Sequence, residues 1–173
     1  MFTDTLNRWL ASVRDAQTAQ SLKVIIGPLF DRTSTRMLNT AGLAIKAAGG
    51  VLVKTGATDA YALVKGDLVK ITSATDMAAL AGTVTNGRWN VFCFFIDGVG
   101  TKTSAMGQEA TTLAGVNFPQ FPEGKALIGF IVVNPTGTGN FVGNTTALDD
   151  ATVIPNTVYL SPVSGFDPAC VIS

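Results

Sequence analysis

Trp89-Asn-Val-Phe-Cys-Phe-Phe-Ile96 and Lys125-Ala-Leu-Ile-Gly-Phe-Ile-Val-Val133 are the stretches that decide the fold of this chain. Each is a short run with apolar side chains on both faces of an extended strand. Turn signals bound the first run, because Asn86-Gly87 precedes it and Asp97-Gly98 follows it. The pattern predicts two central strands, whose second face is covered either by the chain itself or in an oligomer. The expected core centres on Val91, Phe92, Phe94, Ile128, Phe130 and Val132.

Shorter elements are predicted on either side of these two runs. Strand candidates lie at residues 22–26, 37–47, 51–54, 61–65, 68–72, 101–112, 141–142 and 157–160. Gly66-Asp67 predicts a hairpin turn, and residues 76–80 predict a single helical turn. Residues 118–124 read as a proline-containing connector and residues 134–140 as a Gly/Thr loop. Many short strands separated by turn pairs predict a mainly β, antiparallel sandwich or barrel-like domain over residues 21–173.

Residues 3–19 carry the one helical pattern in the sequence that is longer than a single turn. Leu6, Trp9, Leu10 and Val13 follow the spacing i, i+3, i+4 and i+7, which places them on one face of an amphipathic helix. No second helix is predicted, so this stripe has to lie on the sheet, on another subunit or on a larger assembly. Residues 1–20 are therefore predicted to form an N-terminal helix whose four apolar side chains make an assembly contact.

The amino-acid composition and charge of the chain limit the kinds of partner that it is expected to bind. Hydrophobic residues make up 47% of the chain and charged residues 14%, and twelve basic residues balance twelve acidic ones. A chain with no net charge has little self-repulsion and associates readily. No basic excess is present for nucleic acid, and no apolar run approaches the ~20 residues of a membrane span. Residues after Met1 do not resemble a signal peptide. The expected partners are protein surfaces, including further copies of the chain.

Catalytic side chains are scarce. Histidine is absent, which removes the commonest general base, the usual serine and cysteine triads and the HExxH zinc motif. With two cysteines and no histidine, a structural zinc site is not expected either. Cys93 lies among phenylalanines, where a buried and inert thiol is the ordinary case. We therefore expect no enzymatic activity, no cofactor and no metal ion.

Three short motifs have some features of catalytic or binding sites, but their sequences predict loops and turns. Asp149-Asp150 are neighbours in an extended segment, so their carboxylates point apart and predict a polar turn. Gly137, Gly139 and Gly143 have the spacing GxGxxxG without a following Lys-Ser/Thr, which predicts a connecting loop and not a phosphate loop. Asp97-Gly98-Val99-Gly100 lacks the spaced ligands of a calcium loop.

A resemblance to a known family enters on the C-terminal half. The stretches Pro122-Glu-Gly-Lys-Ala-Leu-Ile-Gly-Phe130 and Phe141-Val-Gly-Asn-Thr-Thr-Ala-Leu-Asp149, followed by Val158-Tyr159, resemble a segment of tailed-bacteriophage virion proteins of the head-fibre or capsid-decoration type. The resemblance lies mainly in residues 113–160. Asn144 stands where a second glycine is usual, and asparagine tolerates a positive φ better than most residues.

The resemblance implies a virion location and a non-enzymatic structural role. The chain would decorate or cement the capsid surface by self-association, as a homotrimer, and by contact with the major capsid protein or another virion protein. Nucleic acid and membrane are not among the implied partners. A tail- or fibre-associated carbohydrate- or receptor-binding module is the alternative. An exposed aromatic platform, supplied by Tyr61, Trp89 or Tyr159, would favour that alternative.

Overall fold

The computed structural model describes Gln20 and residues 34–163, and this part of the chain is mainly antiparallel β. Its strands are β1 Arg36–Met37, β2 Ala44–Ile45, β3 Val53–Lys54, β4 Ala60–Val64, β5 Asp67–Ile71, β6 Thr83–Val84, β7 Asn90–Ile96, β8 Lys102–Met106, β9 Ala126–Val133, β10 Phe141–Val142 and β11 Val158–Leu160. A 3-10 helix spans Leu113–Gly115. No closed barrel forms among the described strands. The predicted helix at 3–19, the strand at 22–26 and Cys170 lie outside the described residues.

The central element is a four-stranded sheet in the order β11-β9-β7-β8. Every residue of β7 is buried, as are all but one in β9, so both long strands are covered on two sides. The six core residues expected from the sequence are all buried, which confirms that prediction. They divide between the faces, however. Phe92, Phe94 and Ile128 belong to the larger core cluster, whereas Val91, Phe130 and Val132 belong to a second one.

The inner face of this sheet packs against a three-stranded sheet in the order β1-β4-β5. Strand β4 alternates so that Ala60, Ala62 and Val64 are buried in the shared core. Strands β4 and β5 form a hairpin with Val64 opposite Asp67, which leaves Lys65 and Gly66 as the loop. Their φ values of 54° and 91° are the positive values that a tight two-residue hairpin turn needs.

The outer face of the four-stranded sheet is covered by residues 107–124, which we call the cover segment. Two backbone hydrogen bonds between Trp89 and Ala110 (2.8 and 3.0 Å) attach this segment beside the start of β7. Phe118 meets Phe130 edge to face at 5.1 Å between ring centroids, in the geometry that aromatic pairs prefer. Because the chain itself buries both faces, the apolar content of β7 and β9 no longer argues for an oligomer.

Three sequence predictions were wrong in detail. Residues 76–80 do not form a helical turn. Asp76 forms a β-bridge with Lys54, and the N–H of Met77 donates to the carbonyl oxygen of Val53, so this backbone makes its hydrogen bonds with β3 and not within a helical turn. The single strand expected at 37–47 is split into β1 and β2. The hairpin turn falls one residue earlier than predicted, at residues 65–66, and Asp67 begins β5.

Candidate interaction surface

The glycine-containing loop at residues 134–140 is locked onto a turn. The side-chain amide of Asn86 donates to the carbonyl oxygens of Gly137 (2.7 Å) and Gly139 (3.0 Å), while its backbone N–H donates to Asn140 Oδ1 at 2.9 Å. A Cβ added at Gly137 would overlap the carbonyl oxygen of Thr152. Gly137 therefore allows close packing between loops, whereas Gly139 has open space around it and a φ of 88°. Residues 134–140 connect β9 to β10, which confirms the prediction of a connecting loop.

The acidic residues singled out from the sequence each cap a turn. Both carboxylate oxygens of Asp149 accept from the N–H of Gly49, at 2.9 and 3.1 Å. Asp150 accepts from the N–H and hydroxyl of Thr152, and these bonds hold the pKa of its carboxyl below the usual range. Asp97 accepts from the N–H of residue 101 at 2.8 Å within the β7–β8 turn. No group of three or more potential metal ligands gathers among the described residues.

Cys93 lies in β7 and is fully buried. Burial raises the pKa of its thiol to about 12, because the thiolate would lose its hydration. A thiol in this state is neither a nucleophile nor a metal ligand at neutral pH. The prediction that this thiol is buried is confirmed, and its inertness stays a prediction.

The aromatic residues considered as a binding platform lie apart. Tyr61 is on the outer face of the three-stranded sheet, and Trp89 packs against the cluster under the cover segment. Tyr159 packs against the larger core cluster, and burial followed by the charge of Asp149 raises the pKa of its phenol to about 12. The structure thus does not bring these three residues together. Tyr159 and Asp149 share a shallow depression of about 370 Å³, lined otherwise by Ile45, Leu148 and residues 154–158.

Apolar side chains remain exposed on the outer face of the three-stranded sheet. We call this surface the sheet face and define it by Leu38, Tyr61, Leu63 and Leu68. Leu38, Tyr61 and Leu68 are 43%, 36% and 63% exposed, and Leu63 is half-buried. Solvated faces of antiparallel sheets are ordinarily polar. The sequence contains the signal, since residues 60–64 read Ala-Tyr-Ala-Leu-Val with no polar residue on either face, but sequence reasoning did not use it.

A second exposed apolar surface lies on β11, the edge strand of the four-stranded sheet. Val158 and Leu160 are 47% and 43% exposed, and we call them the edge strip. They stand opposite Val132 and Phe130 of β9, so they extend the outer-face apolar cluster to the margin of the sheet. An apolar edge strand is a ready surface for another chain.

The remaining predicted contact is not placed by the structure. Leu6, Trp9, Leu10 and Val13 lie outside the described residues, so their role in assembly stays a prediction.

No helix among the described residues is long and apolar enough to cross a membrane. The chain matches no protein-family model, no curated protein and no solved structure. Within residues 34–163, the polar side chains described above hold loops in place by hydrogen bonds. Exposed apolar side chains form the sheet face and the edge strip.

Proposed function

We propose that the chain is a non-enzymatic structural protein of a bacteriophage particle, which decorates or cements the capsid surface by self-association and by contact with shell proteins. The observation that carries this proposal is the edge strip, an exposed apolar margin beside the buried strands β7 and β9. The phage-like motif supports a virion location, and Asn144 has φ of 57° in the turn that the motif requires. Zero net charge favours association.

We further propose that the domain is a β-sandwich, because the three-stranded and four-stranded sheets contribute to one shared core. A decorating protein has to withstand exposure on a particle, and a core closed on both sides of its central sheet suits that requirement. The trimeric state comes from the resemblance alone.

Self-association is tested by measuring molar mass with size-exclusion chromatography and light scattering at micromolar concentration in moderate salt. We expect an oligomer, with a trimer as the specific expectation. Leu160→Asp places a charge in the edge strip, and it should shift the protein to monomers without changing its fold. Leu113→Asp is the matched control, because Leu113 is also exposed but lies on the cover segment. A monodisperse parental monomer, or a Leu160→Asp variant that stays fully oligomeric, contradicts the proposed contact.

The virion location needs a separate test. Antibody-labelled electron microscopy of purified particles is expected to place the protein on the capsid exterior. Label found on the tail tip, together with binding to host glycans, would support the alternative of a carbohydrate- or receptor-binding module. Label absent from the particle would contradict both virion functions.

A further inference from the structure

We propose that the sheet face is the docking site for the N-terminal amphipathic segment of the same chain, with Leu6, Trp9, Leu10 and Val13 packed on it. This proposal does not depend on a virion function. It differs from the assembly contact that the sequence alone suggested for the segment. Four observations carry it: the composition of the face, the place where the chain enters the sheet, the reach of the chain, and the sizes of the two surfaces.

The sheet face is arranged in two rows across the strands. Register places Arg36, Leu63 and Leu68 in one row, because Arg36 stands opposite Leu63 and Leu63 opposite Leu68. The second row contains Leu38, Tyr61 and Lys70, since Tyr61 pairs with Lys70 and its carbonyl accepts from the N–H of Leu38 at 2.8 Å. The four apolar residues are thus contiguous, and the two basic residues stand at opposite corners.

The basic corners leave the middle of the face apolar. The ammonium group of Lys70 is drawn to the carboxylate of Asp59, 2.7 Å from it, and the hydrogen bond between them raises the pKa of the lysine. Arg36 is on the strand at the other edge of the sheet. A partner for this surface therefore needs a narrow apolar stripe with polar flanks, which is the pattern of residues 3–19.

The chain enters the described domain at the border of this face. The carbonyl oxygen of Ser34 accepts from the N–H of Gly66 at 3.0 Å, and Thr35 Oγ1 accepts from the N–H of Lys65 at 3.0 Å. Leu68 is two residues from Gly66, hence within about 7 Å along the strand. Ser34, the residue at which the described domain begins, therefore lies beside the row that contains Leu63 and Leu68.

The length of the connecting residues and the dimensions of the two surfaces are compatible with a contact within one chain. Residues 20–33 can span about 46 Å when extended, far more than the width of the sheet. From Leu6 to Val13 a helix rises about 10 Å. The face measures about 10 Å across its three strands and about 7 Å along them. A tethered segment acts at an effective concentration in the millimolar range, so it competes well against partners at micromolar concentration.

Disulfide trapping in the full chain tests this placement. Leu10→Cys and Leu68→Cys are introduced together with Cys170→Ser, while buried Cys93 remains unreactive. The matched control pairs Leu10→Cys with Leu113→Cys, because Leu113 is exposed on the opposite side of the four-stranded sheet.

We expect an intramolecular disulfide to form under mild oxidation at micromolar protein, and to form faster than in the control, which has the same tether but a cysteine away from the sheet face. If the effective concentration is millimolar, it should also form about a thousandfold faster than the disulfide between separate chains. It would run as a monomer on a non-reducing gel. Equal rates in the two double-cysteine variants would overturn the proposal, and so would a disulfide found only between chains. The second result would assign the face to another copy.

Tryptophan emission supplies an independent measurement. In a Trp89→Phe background Trp9 is the single tryptophan, and docking should shift its emission to shorter wavelength than that of a hydrated indole. Leu68→Asp should reverse the shift, whereas Leu113→Asp should not. Emission of a hydrated indole in the Trp89→Phe parent contradicts docking. Because none of these measurements uses the particle, failure here is distinct from failure of the virion proposal.

Discussion

Truncation of Phe94 to alanine tests whether β7 is the centre of the fold. Phe94 is fully buried on the face that packs against the three-stranded sheet, and it is paired on both sides, with Ser104 of β8 and with Gly129 of β9, just before a shift in the β7–β9 register. Strands held by backbone pairing cannot easily move to fill the space that a phenyl ring leaves. The loss should therefore include the transfer free energy of the ring and most of the cost of a cavity.

The expected loss in the free energy of unfolding is about 3–5 kcal/mol, with Phe94→Ala toward the upper end. For a domain of this length each kcal/mol lowers Tm by about 2–4 °C, which gives a drop of about 6–20 °C. Phe130→Ala should fall toward the lower end of the same range. Phe130 retains 7% exposure and lies under the cover segment, an irregular stretch that can close part of a cavity.

Thermal melting followed by circular dichroism, together with urea unfolding, measures both variants against the parent. Leu113→Ala is the control, because truncating an exposed side chain should change the free energy of unfolding by no more than about 0.5 kcal/mol. If both phenylalanine variants melt within about 2 °C of the parent, the assignment of the two central strands is refuted. A larger loss at Phe130 than at Phe94 would refute the argument about the cover segment.

Three further outcomes are expected. Gly137→Ala should destabilise the domain by more than an ordinary Gly→Ala change, because the added Cβ would overlap the carbonyl oxygen of Thr152. A variant whose Tm equals that of the parent would exclude this close approach. Cys93, with a pKa of about 12, should react with a thiol reagent at neutral pH only through unfolding, so denaturant should set its rate, and prompt reaction of the folded protein would contradict burial. The hydrogen bond from the N–H of Thr85 lowers the pKa of Glu109, so the stability it provides is present above the unfolded pKa and is lost as pH falls through the lowered folded value. Urea titrations at several pH values should therefore show a smaller acid-induced loss in Glu109→Gln than in the parent, and equal losses would contradict this role.

The strands with the strongest local signal were predictable from the sequence. The run at 89–96 and the run at 125–133 became β7 and β9 with shifts of one residue at their starts, because an apolar run between turn pairs has few alternatives. The turn at Asn144 was also foreseen, since the expected tolerance of positive φ is realised there. The two strand predictions depend on neighbouring residues only, whereas the turn at Asn144 came from the resemblance to the phage segment.

Long-range pairing could not be read in the same way. Strand β10 pairs with β6, far earlier in the chain, and neither two-residue strand has a pattern that specifies the other. Residues 76–80 carried a weak helical pattern, but pairing of Asp76 with Lys54 decided their structure. The edge strip depends on which strand lies at the margin of its sheet, and the sheet face depends on which side of the three-stranded sheet is turned away from the core. Both follow from the arrangement of the sheets and not from local pattern.

The cover segment gives the protein a place where its exterior can change independently of its core. Residues 111–115 are all exposed, and Val116, which follows them, is buried against the outer face of the sheet. A peptide inserted into this stretch would lengthen a surface loop whose attachment points stay in place. Doubling the length of a loop costs only about 0.6 kcal/mol in closure entropy. New sequences could therefore be displayed at residues 111–115 while Val116 and the two aromatic anchors, Phe118 and Phe121, continue to seal the sheet.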